Sequence, residues 1–332
     1  MSDATPFESP AAVGHVPVLP AEILQVLDPK PGQVMLDCTI GRGGHATMIL
    51  PRLAPGGRYI GLDVDPGNLE YTRQRLNAIQ AVAPGVHIDL VHSNFVDARA
   101  VLKRLAVDRV DLLLADFGFS SNQMTDPARG FSFMNDGPLD MRLDPTSVST
   151  AADLVNHLPE RELADLIYQY GEERLSRRIA AKIVERRRIS PITTTSGLAD
   201  LVRQSYGLAP AFEREKGGGG RPQRRPRIAG IDPATRTFMA LRIAVNGELN
   251  AIESLLASLP RLVKAGGVAA LISFHSLEDR LVKHAFAELE KTGRAERMTR
   301  KPLAAQDEEI AANPRSRSAK LRAIRMTQRS VQ

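Results

Sequence analysis

The sequence predicts a doubly wound α/β domain interrupted by an all-helical insert. Two observations carry that prediction. Short apolar runs alternate with helical stretches up to Asp116, and the rhythm breaks at Asp126 and resumes near Arg236. Strands without polar alternation are usually buried on both faces of a parallel sheet.

Val34 to Thr39 is the first such run, and it ends at the cluster Gly41-Arg42-Gly43-Gly44. A helical stretch from His45 to Leu53 follows, stopped by Ala54-Pro55-Gly56-Gly57. Arg58 to Asp63 reads as the second strand, Asn68 to Ile79 as a helix, Val86 to His92 as the third strand and Arg109 to Asp116 as the fourth. Asp126 to Asp144 is loop-like. From Ala151 to Tyr206 the pattern is helical, with Leu163, Ile167 and Tyr170 on one face and Leu175, Ile179 and Ile183 on another. Glu213 to Asp232, with its four consecutive glycines and several arginines, cannot pack a core. Helices over Arg236–Val245 and Leu249–Val263 then lead through Ala265-Gly266-Gly267 into a fifth strand, Val268–Phe274. The expected division is 1–125 and 231–332 for the α/β domain and 126–230 for the insert with its basic linker.

A chain of 332 residues has room for one large domain and a smaller unit. The polar start, Met1 to Gly14, has neither a basic nor an apolar signal region, and no long apolar run follows, so secretion and membrane spanning are not expected. The single cysteine, Cys38, excludes an internal disulfide and a Cys-rich zinc site, and it fits a reducing cytoplasm. Aromatics are only 5% with no Trp, which argues against an aromatic-rich single-strand binder. The net charge of +6 points to a polyanionic partner.

A strand, a Gly-rich turn and a helix N-terminus make a nucleotide site, because glycine lets a ligand approach the backbone and the helix end offers free N–H groups. Alone the pattern also fits a tight βα turn with no ligand. Asp63, about 20 residues past the glycines, stands where a ribose-diol acceptor is expected. Asp37, just before the turn, would repel a pyrophosphate but suits a ligand carrying an ammonium and a sulfonium. That choice favours S-adenosylmethionine over NAD. Asp65 reads as a helix cap or a solvated residue.

Six ordered motifs are recognisable at this point. They are Asp37-Cys38-Thr39-Ile40-Gly41-Arg42-Gly43-Gly44-His45; Leu114-Ala115-Asp116-Phe117-Gly118-Phe119-Ser120-Ser121; Gly130-Phe131-Ser132-Phe133 running to Gly137-Pro138-Leu139-Asp140-Met141-Arg142; Tyr170-Gly171-Glu172-Glu173-Arg174; Pro233-Ala234-Thr235-Arg236-Thr237-Phe238; and Ser273-Phe274-His275-Ser276-Leu277-Glu278-Asp279-Arg280. Together they closely resemble the bacterial small-subunit ribosomal RNA cytosine-N4 methyltransferases, the RsmH (MraW) family, from about His15 to Arg325. The resemblance implies a class I S-adenosylmethionine-dependent methyltransferase fold, Rossmann-like, with an inserted all-helical domain. It implies transfer of methyl from S-adenosylmethionine to the exocyclic amine of a cytidine in 16S ribosomal RNA, near the decoding site of the small subunit, and a possible homodimer. By motif match Gly43, Gly44 and His45 would hold the methionine end of the cofactor, Asp63 the ribose and Phe95 the adenine region, with Asp116 and Gln123 completing the pocket. Phe117 and Phe119 in place of smaller aliphatics, Asn122 in place of a common Pro, and a long Gly/Arg stretch depart from the usual pattern.

Asp116 ends an apolar strand at the edge where ligands sit in open α/β sheets, so it is the first catalytic candidate; a cap for the next turn is the alternative. His275 is the second: it would contact RNA or take a proton, or be a satisfied strand-end histidine. Ser276 with Asp279 reads as a helix-capping box. Phe131 and Phe133 either stack on a displaced base or pin their loop. The histidines are scattered without metal spacing, so no metal is expected.

Positive charge gathers in Arg174–Arg188, Glu213–Arg227 and Arg315–Arg329. Such runs are usually solvated faces, but three beside a nucleotide-type domain favour phosphate contact. Competing readings are a small-molecule or protein methyltransferase, an NAD-dependent oxidoreductase, and a non-catalytic RNA-binding protein on the same fold.

Overall fold

A computed structural model describes residues 17–79, 83–208 and 232–331. In chain order its elements are α1 (Pro20–Leu27), β1 (Val34–Asp37), α2 (Gly44–Leu53), β2 (Arg58–Asp63), α3 (Pro66–Ile79), β3 (His87–His92), α4 (Ala98–Arg104) and β4 (Val110–Asp116). Next come α5 (Ser121–Thr125), α6 (Ala151–His157), α7 (Glu160–Gly171), α8 (Ser176–Arg187), α9 (Thr195–Ser205), α10 (Ala234–Asn246) and α11 (Glu248–Leu262). The chain closes with β5 (Val263–Ser273), α12 (Ser276–Lys291), β6 (Ala295–Arg297), α13 (Asp307–Ala312) and β7 (Lys320–Met326).

The strands form one sheet in the order β3-β2-β1-β4-β5-β7-β6. Neighbours from β3 to β5 are parallel, whereas β7 runs antiparallel to both β5 and β6. The chain therefore leaves β1 in one direction, to β2 and β3, and returns to lay β4 on β1's other side. That reversal leaves a crevice beyond the carboxyl ends of β1 and β4, the position where open α/β sheets bind ligands. β4 is apolar and nearly wholly buried because layers cover both faces.

Contacts divide the chain into one unit of residues 1–118 and 252–332 and a second of 119–251. The sequence reading put these borders at 126 and 230; helix α10, assigned there to the α/β domain, packs instead on α7, α9 and α6 inside the helical unit. The reason is its apolar face: Phe238 and Leu241 are buried in the same core as Leu163, Ile167, Ile179 and Ile183. In the α/β unit the core is built from Met35, Leu112, Leu114 and Ile272 of the sheet with Ile49, Leu50 and Leu53 of α2.

The fifth strand starts at Val263, earlier than the expected Val268, and the register against β4 shifts between Val110 and Leu112. Two antiparallel strands, β6 and β7, complete the sheet, and β7 lies within the basic segment Arg315–Arg329. Arg322 of β7 is buried and its guanidinium meets Asp279 of α12 at 2.7 and 3.2 Å, so that charge belongs to the fold. The Gly/Arg-rich stretch Glu213–Arg227 lies outside the described residues. Among those described, no helix is long and apolar enough to cross a membrane.

Candidate active site

Asp37 closes β1 as a buried carboxylate, 2% exposed. Tyr59 of β2 donates its hydroxyl to Asp37 Oδ2 at 2.6 Å, and the Thr39 N–H donates to Oδ1 at 3.0 Å. Burial raises its pKa to about 6, against the pull of those two bonds. Across the crevice, the Asp116 N–H at the end of β4 donates to Thr39 Oγ1 at 2.6 Å, which ties the two strand ends together. Among the described residues, Asp116 Oδ1 is buried and has no hydrogen-bond partner. Burial, then the charges of Asp37 and Glu278, push its pKa well above the ordinary carboxylate range. Cys38, next to Asp37, is a buried thiol whose pKa burial raises, so it is no ready nucleophile.

The glycine loop is held by Asp63 from β2. Its Oδ2 accepts from the Gly41 N–H at 2.9 Å and its Oδ1 from the Asp65 N–H at 2.7 Å. Burial lifts this carboxyl too, to about 6. Gly43 has φ 74°, which favours glycine, and a Cβ there would lie a tight 3.1 Å from Thr72 Cγ2 on α3. Gly44 opens α2, and His45 in its first turn is buried, donating Nε2–H to the Val18 carbonyl at 2.9 Å. Burial lowers the pKa of His45, which keeps the ring neutral. Asp65 accepts from the Gly67 N–H at 2.9 Å, the capping role expected of it.

Phe95, just past β3, is half-buried with its ring 6.0 Å from that of Phe117, which follows β4. His275 follows β5 and is itself the N-cap of α12, with Glu278 at the third helical position. The capping box thus sits one residue earlier than the Ser276/Asp279 pair read from the sequence, because Glu278 reaches back to the Phe274 N–H at 2.7 Å and Asp279 turns to Arg322. His275 Nε2 lies 3.1 Å from Glu278 Oε1, and the Glu278 side chain is buried.

In the helical unit Gln123 is 3% exposed and its Oε1 accepts from the Ser120 N–H at 2.9 Å. Phe131 is 8% exposed and stacked on Phe119 at 5.3 Å, and the Phe133 ring meets that of Phe238 edge-on at 4.8 Å. Both phenylalanines pin their loop in this structure. Arg142 doubles onto Asp140, and Asn246 of α10 accepts from the Leu143 N–H at 2.7 Å, so the expected loop is tightly folded.

Residues 12–327 match the model of the MraW methylase family. The chain belongs to the MraW methylase family. Its relatives include proteins named Ribosomal RNA small subunit methyltransferase H from Sorangium cellulosum, 46% identical over 96% of this chain and 93% of theirs, and from Acidobacterium capsulatum, 46% identical over 93% and 97%. A third of that name, from Geobacter sp., is 45% identical over 93% of this chain and 97% of its own.

As a member of the MraW family, the protein is an S-adenosylmethionine-dependent methyltransferase with a class I fold. The residues fit that cofactor. Asp37, Asp116 and Glu278 put three enclosed carboxyl groups near the crevice, and one buried oxygen of Asp116 lacks a partner. An anionic pyrophosphate would be repelled there, whereas a sulfonium and an ammonium would be drawn in. Every motif residue nominated in this unit lies at or just after the carboxyl end of one of the five parallel strands: Asp37 at β1 with Gly43 to His45 after it, Asp63 at β2, Phe95 after β3, Asp116 at β4 and His275 after β5. Gln123 belongs to the helical unit. Sequence reasoning missed Tyr59, Thr39 and Glu278. A tyrosine inside an otherwise apolar strand was the available signal for Tyr59, since a buried hydroxyl needs a partner.

Proposed function

We propose that this protein transfers a methyl group from S-adenosylmethionine to the exocyclic N4 amine of a cytidine in the 16S RNA of the small ribosomal subunit. The observation that carries the proposal is the unpartnered, buried Asp116 oxygen at the sheet's switch point, beside Asp37 and Glu278. The names of the relatives supply the ribosomal RNA.

When bound, the cofactor supplies an electrophilic methyl group on a positively charged sulfur. Asp37 and Asp116 balance positive charge in the crevice, Gly43, Gly44 and His45 take the methionine end, and Asp63 accepts from the ribose. Phe95 packs at the adenine. The amine of cytosine is a weak nucleophile because its lone pair is delocalised into the ring. Asp116 answers this by accepting an N–H bond and taking the proton as the new N–C bond forms, the methyl's bond to sulfur breaking with its electron pair left on a neutral thioether. His275 lies at the same sheet edge, braced by Glu278, as the second polar group available to the base or its proton. A stacked cytosine cannot reach these groups, so it must be unpaired or turned out, at a cost of a few kcal/mol. The place of action is the cytoplasm, and the possible homodimer is open to sedimentation analysis.

The test is tritium transfer from labelled S-adenosylmethionine to small subunits lacking the modification, followed by nucleoside analysis. Label in N4-methylcytidine is the expected result. Label in another nucleoside, or in protein, overturns the assignment.

A further inference from the structure

Two motifs have no part in the methyl-transfer site: Tyr170–Arg174 and Pro233–Phe238. Inside the helical unit they meet. A Cβ on Gly171 would lie 2.7 Å from the Arg236 carbonyl and 3.3 Å from Ala240 Cβ, so the last turn of α7 comes onto α10 only because that residue is glycine. Arg236 Nη1 donates to the Glu172 carbonyl at 3.3 Å. Glu172 then turns the chain with φ 47°, and Glu173 locks the turn from inside. It is 1% exposed, and its Oε1 accepts from the Leu175 N–H at 2.8 Å and from the Tyr206 hydroxyl at 2.7 Å.

The outside of this braced corner is cationic. Arg174, Arg177, Arg178 and Arg236 are all exposed. Among the described residues, Arg174, Arg177 and Arg178 have no hydrogen-bond or ion-pair partner, and the only bond of Arg236 is to a backbone carbonyl. The exposed acid here is Glu172; Glu173 faces inward. Other arginines of α8 are already committed: Arg187 donates to the Val155 and Leu158 carbonyls, and Arg186 to that of Ser190. The basic run read from the sequence therefore separates into structural arginines and an exposed cluster that keeps a net positive charge.

We propose that this corner, built by Gly171, Glu173 and Arg236, binds backbone phosphates of the RNA that carries the acceptor base. The inference rests on the reading that the acceptor is RNA. Four like charges, one on the turn after α7 and three on the first turns of α8 and α10, suit a polyanion, and arginine forks match phosphate oxygens.

The experiment compares the parent with a variant carrying Arg174→Gln, Arg177→Gln, Arg178→Gln and Arg236→Gln. Binding to protein-free small-subunit RNA is followed against salt concentration. The slope of log K against log salt is expected to fall by about 3, at roughly 0.7–0.9 for each phosphate no longer neutralised. Affinity for S-adenosylmethionine and the transfer rate at saturating RNA stay at parental values, which separates loss of this surface from failure of the active site. The matching Arg→Lys variant, which keeps the charges, is expected to regain most of the slope. An unchanged slope in the Gln variant overturns the proposal. So does a binding loss confined to assembled subunits, which would put a ribosomal protein on this corner instead. If the parent labels a different nucleoside of that RNA, the base assignment fails while this comparison stands.

Discussion

Asp63 serves two purposes with one carboxylate. Its oxygens already hold the Gly41 and Asp65 N–H groups, so the lone pairs left for a ribose are those the loop does not use. Asp63→Ala is expected to weaken S-adenosylmethionine binding by about 1–3 kcal/mol, since the ribose hydroxyls lose a charged acceptor and the loop loses its brace. Calorimetry on the folded variant checks this, and parental affinity would remove Asp63 from the site. The raised carboxyls also set a pH dependence. Asp37 and Asp63 titrate near about 6 in the folded protein, against roughly 3.9 in an unfolded chain. Between those values the folded state holds protons that the unfolded state has released, so their contribution to stability falls as pH rises from about 4 to 6. Cation binding runs the other way: affinity for the cofactor is expected to rise with pH through about 6, as the carboxylates ionise. Titration calorimetry showing flat affinity across that range contradicts a charge-balancing role for the pair. Asp37, Asp63 and Asp116 were legible in the sequence as acids ending apolar runs. Tyr59, Thr39 and Glu278 were not, because their parts depend on which strand lies beside which and where α12 begins.

At the scale of elements, the parallel strands were legible through unbroken apolar runs, and α7 to α9 through their periodic faces. The antiparallel pair β6 and β7 was hidden, because β6 is only three residues long and the charged residues of β7 read as part of a basic segment. Only the fold supplies Asp279 as the partner that lets Arg322 be buried. The turn from β1 into α2 is the element on which the site depends most. Gly43 combines φ 74° with a 3.1 Å approach of the Thr72 methyl, so Gly43→Ala strains the backbone and asks that side chain to give by a few tenths of an ångström. A loss of about 1–2 kcal/mol of stability is expected, with weaker cofactor binding. Denaturant unfolding checks it; an unchanged midpoint would show that the loop relaxes freely.

For the whole molecule, the fold class, the insert and the family were all legible, since the ordered motifs span the chain. The borders between the two units were not, because α10 looks in sequence like part of the domain that follows it. Its core partners decide otherwise. Net charge proved a coarser guide than its distribution, as Arg187, Arg203 and Arg322 are consumed by the fold while Arg174, Arg177 and Arg178 are not. Methyl transfer as proposed turns on Asp116, the acid whose buried oxygen has no partner among the described residues. Asp116→Asn keeps the side chain's shape and removes its charge and its power to take a proton. Single-turnover methyl transfer, measured at saturating S-adenosylmethionine and RNA, is expected to slow by about 10²-fold or more with the fold intact. Parental chemistry in that measurement would contradict the account and make Asp116 a structural residue.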